Sequence, residues 1–153
     1  MNTNPLNQAD QALRDRLAQI TPSNGYFTDV GTRVRFGFAQ QVIDDEEAAY
    51  PTIVIQPDET PPPTLGATQW AVQLGRKVIA LADPSDPDET LATLNDVFAD
   101  LLRALMVPEG TVKPWGSRGP YKVTFKASNQ LLPDTELPKG VVAIPLLLWV
   151  VLG

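Results

Sequence analysis

Two hydrophobic periods alternate along this chain, and their changeovers mark its elements. Between Leu6 and Ile20, apolar residues fall at Leu6, Ala9, Leu13, Leu17 and Ile20, with Arg14, Asp15 and Arg16 on the other side. Spacings of three and four put one apolar stripe on a helix, and Thr21-Pro22 with Ser23-Asn24-Gly25 ends it. From Tyr26 to Phe38 the period shortens, Val34 and Phe36 alternating with Arg33, Arg35 and Gly37. That predicts a β segment, with a short hairpin turning at Asp29-Val30-Gly31. Tyr50 to Pro57 reads as a strand bracketed by prolines, with Ile53 and Ile55 on one face.

The stretch from Ala67 to Met106 is the best-marked unit. Gln69 to Leu81 predicts a long strand, with Trp70, Val72 and Leu74 on one face and Ile79 and Leu81 on the other. The change of parity at Gly75-Arg76 predicts a β-bulge, and a strand of this length predicts a protruding end able to pair with a neighbouring subunit. The turn Asp83-Pro84-Ser85-Asp86-Pro87 carries helix-start chemistry: Asp86 as N-cap, Pro87 at the first helical position, Asp88 and Glu89 at the positive end of the dipole. Leu91, Leu94, Phe98, Leu101 and Leu105, flanked by Val97 and Leu102, predict an amphipathic helix laid on a sheet, stopped by Pro108 and Gly110. Tyr121 to Phe125 alternates as a strand, and Ala127 to Gly140 reads as a polar loop. Val141 to Leu152 is aliphatic on both faces, which fits either a central strand covered on both sides or an edge buried by a partner. Pro145 cannot donate to a ladder and marks an edge or a bulge.

Composition narrows the chemistry. With 153 residues and 43% apolar content, a single domain over 1–153 can bury a real core. The absence of cysteine and histidine removes disulfides, thiolate nucleophiles, Cys/His zinc sites and imidazole acid–base catalysis. A net charge of −6 argues against generic nucleic-acid binding, which rewards clustered Lys and Arg. The polar start and the charged first helix give no secretory signal, and the C-terminal apolar run is too short for a membrane helix. The expectation is a protein of cytosolic origin without a membrane partner.

Charge is segregated by sign. Asp44, Asp45, Glu46 and Glu47 form the densest run; the readings are a solvated acidic loop or a divalent-cation site, and adjacent loop residues point in opposing directions without the spaced pattern of a calcium loop. Glu59-Thr60-Pro61-Pro62-Pro63 is either a rigid connection or a polyproline ligand. Asp58 and Glu59 complete an acidic stretch between Phe36 and Gly75 that holds no Lys or Arg. Between Glu109 and Asp134 the charged residues are Lys113, Arg118, Lys122 and Lys126, all basic. Trp115 among them reads as a loop aromatic packed on its own domain, as part of a basic edge docking on the acidic edge of an identical neighbour, or as a stacking platform for nucleic acid.

Taken in order, the chain resembles the tail terminator proteins of long-tailed bacteriophages, the minor tail protein U family. The resemblance rests on the first helix from Leu6 to Ile20 and the acidic run leading into Tyr50-Pro51-Thr52-Ile53-Val54-Ile55. It rests also on Thr68-Gln69-Trp70 opening a long strand, the Pro-Ser-Asp-Pro turn into the helix from Leu91 to Met106, and the apolar C-terminal strand. It covers nearly the whole chain, carries no catalytic fingerprint, and departs in a longer 108–140 region. Neck and tail-completion proteins share the same order. The resemblance implies an α/β (α+β) fold of one mixed, mostly antiparallel sheet with two amphipathic helices on one face. It implies a virion protein, assembled in the host cytoplasm, that forms a homohexameric ring at the head-proximal end of the tail tube. Its partners would be the tail tube protein and the neck or connector, with DNA passing through the pore unbound. No enzyme activity, cofactor or metal is implied.

The expected ring contacts set Arg76, Lys77 and the loop carrying Lys113, Trp115 and Arg118 against Asp44, Asp45, Glu46, Glu47, Asp58 and Glu59. Two other classes stay open: a monomeric adaptor binding by strand addition, and a small enzyme using a carboxylate pair.

Overall fold

A computed structural model of the chain describes residues 3–83, 87–107, 110–134 and 138–153. Helix α1 (Pro5–Leu17) starts where the Asn4 side chain accepts the Leu6 N–H at 3.0 Å, with Pro5 in the first turn. Strand β1 (Val34–Phe36), helix α2 (Ala39–Ile43), strands β2 (Thr52–Pro57), β3 (Thr64–Leu65) and β4 (Trp70–Ala82), helix α3 (Pro87–Leu105) and strands β5 (Lys122–Phe125), β6 (Asn129–Leu131) and β7 (Gly140–Leu152) follow. The seven strands make one sheet in the order β1-β2-β4-β7-β5, with β3 also on β4 and β6 also on β7. Only β1 and β2 run parallel; every other pair is antiparallel. The fold is the expected α+β class, with α1 and α3 side by side on one face, here the front.

The centre is the β4–β7 pair, in register without interruption from Trp70 opposite Leu152 to Ala82 opposite Gly140. Val72, Leu74, Val78, Ala80 and Ala82 of β4 and Val142, Ile144, Leu146, Leu148 and Val150 of β7 share one buried cluster with Leu13 and Leu17 of α1 and Leu94, Val97 and Leu101 of α3. The predicted parity switch and bulge at Gly75-Arg76 are therefore absent from β4. The even positions from Val72 to Ala82 face the helices, and Arg76 sits among them because Asp10 of α1 takes its guanidinium at 2.8 and 3.0 Å. Ile79 and Leu81 are apolar for a different reason: they face α2 on the other side of the sheet. The irregularity lies in the neighbouring segment. Between Pro57 and Thr64 the chain uses two more residues than β4 does between Arg76 and Ala71 opposite. Asp58 N–H on the Gly75 carbonyl and Gly75 N–H on Thr60 Oγ1 bridge the gap, and a Cβ at Gly75 would collide with the Asp58 and Glu59 carbonyls. The expected protruding end of β4 is missing too, since β7 pairs its whole length and β2 and β3 flank the other edge.

The segment before β1 does not form the predicted hairpin. Two short 3-10 turns, Pro22–Asn24 and Val30–Thr32, carry it past the end of α1. Gly31 donates to the Ile20 carbonyl there, and a Cβ at Gly31 would meet the carbonyls of Leu17, Ala18 and Ile20 within 3 Å. Asp100 of α3, 1% exposed, holds the same segment by accepting from the N–H groups of Phe27 and Thr28 and from the Thr28 hydroxyl. Because β1 and β2 are parallel, the chain must cross over a face of the sheet between them. The front is occupied by α1 and α3, and the crossover, with α2, covers the back.

The buried stripe of α3 is rotated from the one predicted. Leu94, Val97, Leu101, Ala104 and Leu105 are buried, whereas Leu91 is 45% exposed and Phe98 only partly covered. Asp86 as N-cap and Pro108 as helix stop lie outside the described residues. β6 falls within the expected polar loop. β7 is a central strand, and Pro145 meets a bulge as predicted: the Pro145 carbonyl accepts from Lys126 N–H where β5 gives way to β6.

Candidate functional site

The back of the sheet is divided. At one end Val54 of β2, Ile79 and Leu81 of β4 and Val141 of β7 are buried beneath Val42 of α2, with Ala39, Ile43 and Tyr50 around them. Tyr50 closes this half: its hydroxyl donates to the Val42 carbonyl at 3.3 Å, the Lys139 ammonium lies 4.7 Å from its ring, and burial raises its pKa. Toward the other end, strand alternation puts Pro145, Leu147, Trp149 and Val151 of β7 beside Ala71, Gln73, Gly75 and Lys77 of β4 and Lys122 and Thr124 of β5. No helix covers this half among the described residues. Val151 is 41% exposed, and Leu147 and Trp149 are partly exposed. Trp149 is fixed in place: its indole N–H donates to Thr124 Oγ1 at 3.0 Å, Lys122 Nζ sits 4.9 Å above the ring, and Tyr121 meets it edge-on at 6.3 Å.

On the front, a groove of about 840 Å³ runs between α1 and the 114–119 loop, lined by Asp10, Asp15 and Arg16 on one side and Pro114, Trp115 and Arg118 on the other. Asp10 is held by Arg76, and Asp15 accepts from Gln11 at 2.8 Å. The lining carboxylates are tied into structural contacts.

The structure separates the residues singled out in the sequence. Asp44, Asp45, Glu46 and Glu47 are all exposed on the turn that leaves α2; Gln40 donates to Asp44 at 2.9 Å, and Asp45 accepts the Glu47 N–H at 3.0 Å. Among the described residues no cluster of three acidic side chains is placed to hold a metal ion. Asp58 and Glu59 occupy the bulge between β2 and β3. Arg76 is committed to Asp10 on the front, while Lys77, one residue on, faces the back. Lys113 is exposed at a positive φ of 47°, and Arg118 is exposed on the same loop. Trp115 is 8% exposed, part of the front core, with the Arg16 guanidinium 5.8 Å from its ring. Burial removes the stacking-platform reading of Trp115 and bears out its packing on its own domain. The basic stretch is split across the sheet, with Arg118 beside α1 and Lys122 on the back.

Sequence reasoning missed Leu147, Trp149 and Val151 as a surface, although their signal was present in the doubly apolar C-terminal run. Among the described residues no helix is long and apolar enough to cross a membrane. Comparison of the sequence with protein-family models and with curated proteins finds no match.

Proposed function

We propose that this chain is a structural virion protein that caps the head-proximal end of a phage tail tube. It acts as a ring of six copies that ends tube polymerisation and offers a joining surface to the neck or connector. The observation that carries this reading is the C-terminal strand β7, apolar on both faces along its length, with one half of its back face covered by no helix among the described residues and only the Asp58–Glu59 bulge over Gly75 beside it. A soluble monomer rarely leaves such a strand open, and a subunit of an assembly has a use for it. The agreement of fold class and element order with the tail terminator pattern supports the reading further. The acidic balance suits a pore through which DNA slides without sticking. Ring contacts would draw on the loop of Lys113 and Arg118 against Asp44 to Glu47, Asp58 and Glu59; Arg76 is engaged within its own chain, and Lys77 lies on the same face as the acidic turn.

A neck or tail-completion protein is the neighbouring reading, since both roles need a ring with two different axial surfaces. Strand addition by a monomeric adaptor has less to use. β4 is flanked on both edges, and the outward Val34 carbonyl of edge strand β1 accepts from Arg14 at 3.1 Å.

The test is to add the purified chain to tail tube protein during polymerisation and follow the tube-length distribution. Capping shortens the tubes in proportion to the chain added. A length distribution that ignores the chain contradicts the reading.

A further inference from the structure

The divided back face contains both halves of a contact. One half is a ridge: α2 with exposed Phe38 at its start, 54% exposed, and the exposed carboxylates of Asp44, Asp45, Glu46 and Glu47 at its end. The other half is a floor of Leu147, Trp149 and Val151, bordered on the β5 side by Lys122, with Lys126 following Lys122 and Thr124 at the same parity, and on the β2 side by Lys77 and the Asp58–Glu59 bulge over Gly75. The ridge is apolar and acidic; the floor is apolar and, along its β5 border, basic. They lie on the same side of one sheet.

That last fact determines the symmetry. A ring needs its two complementary surfaces on opposite flanks of the subunit, so that each copy hands on to the next. Surfaces that share one face do otherwise: when two copies meet back to back, each α2 seats on the other's open floor, both contacts form at once, and the pair closes on a two-fold axis. We propose that the free protein forms such a pair, with a second copy of this chain as the occupant of the open half. Phe38 covers the floor around Trp149, and the acidic turn after α2 meets Lys122 and Lys126 across the interface. The pair concerns the chain free in solution and does not rest on the tail reading: the two can fail separately.

Sedimentation of the full chain, followed across concentrations from about 1 to about 100 μM, reads the state directly. The expected species has the mass of two chains. Reversal of the floor (Lys122→Glu with Lys126→Glu) or of the ridge (Asp44→Lys with Glu46→Lys) weakens the pair by about a hundredfold. Mixing the two variants restores it, because each reversed surface then meets its complement. Melting curves of the variants confirm that they fold. A readout on the unmodified chain is acylation of lysines: Lys122 and Lys126 are protected as concentration rises, and Lys113 is not. A monomer throughout, a species with the mass of six, a pair indifferent to both reversals, or equal protection of Lys113 would each overturn the proposal. Tube capping by a chain that never pairs would leave the tail reading standing alone; a pair that ignores tubes would do the reverse.

Discussion

The two faces of the sheet are made by the same strands, yet they differ in what completes them. On the front, α1 and α3 bury a continuous layer from Val72 to Ala82 and from Val142 to Val150. On the back, the five-residue helix α2 covers one end, and β7 runs on past it with Leu147, Trp149 and Val151 still partly exposed. The front holds the fold together within one chain. The open half of the back keeps Val151 exposed and Leu147 and Trp149 partly so, and it is the surface that the proposed assembly would use.

Truncation across this gradient is the strongest way to break the comparison. Leu101→Ala, at a fully buried front position, should cost about 4 kcal/mol; Ile79→Ala under α2 about 3 kcal/mol; and Leu147→Ala on the open half about 1 kcal/mol in the free chain. Urea unfolding at low protein concentration reads all three. Equal costs at Ile79 and Leu147 would mean that the back is uniformly covered and not divided.

A smaller effect sharpens the role of Arg76. Its guanidinium spans the front layer to Asp10, with both side chains about four-fifths covered. Replacing Arg76 by Met or Asp10 by Asn should each cost about 2 kcal/mol, and the double variant should cost well under the sum. Additive losses would show that the pair does not hold α1 on the sheet.

The smallest expected effect belongs to the covered half of the back. Burial raises the Tyr50 pKa above its ordinary value of 10.0. A neutral phenol favoured by folding contributes stability that is complete below that ordinary value and is lost as pH rises through the folded one. Stability should therefore fall above about pH 10, and Tyr50→Phe should flatten that fall while giving up the bond to the Val42 carbonyl. Identical alkaline slopes for the two proteins would place Tyr50 outside the buried layer.

Much of the fold was legible because its strongest signals are local. The stripe of α1, the length of β4 and β7 and the existence of α3 follow from periodicity alone, and Pro145 correctly marked a break in a ladder. What failed depended on neighbours distant in sequence. The parity of β4 looked broken at Gly75 because Arg76 is satisfied by Asp10, sixty-six residues away, and because α2 makes the odd positions apolar at one end only. The hairpin at Asp29-Val30-Gly31 was replaced by turns that Gly31 and Asp100 fasten to α1 and α3. Helix α2 is too short for a period to show. Of the residues expected to meet a neighbour, the exposed acids of 44–47 were visible as charge, whereas Trp115 was an aromatic in a polar loop whose burial only the fold reveals. The open floor around Trp149 was half legible: the run from Val141 to Leu152 announced two apolar faces, and only the short reach of α2 says which half of one stays uncovered.

The most direct test of the tail reading is to image the purified chain bound to assembled tail tubes by electron microscopy. Extra density with six-fold symmetry is expected at one end of each tube and none along its length. Density at both ends, along the wall, or nowhere would contradict it.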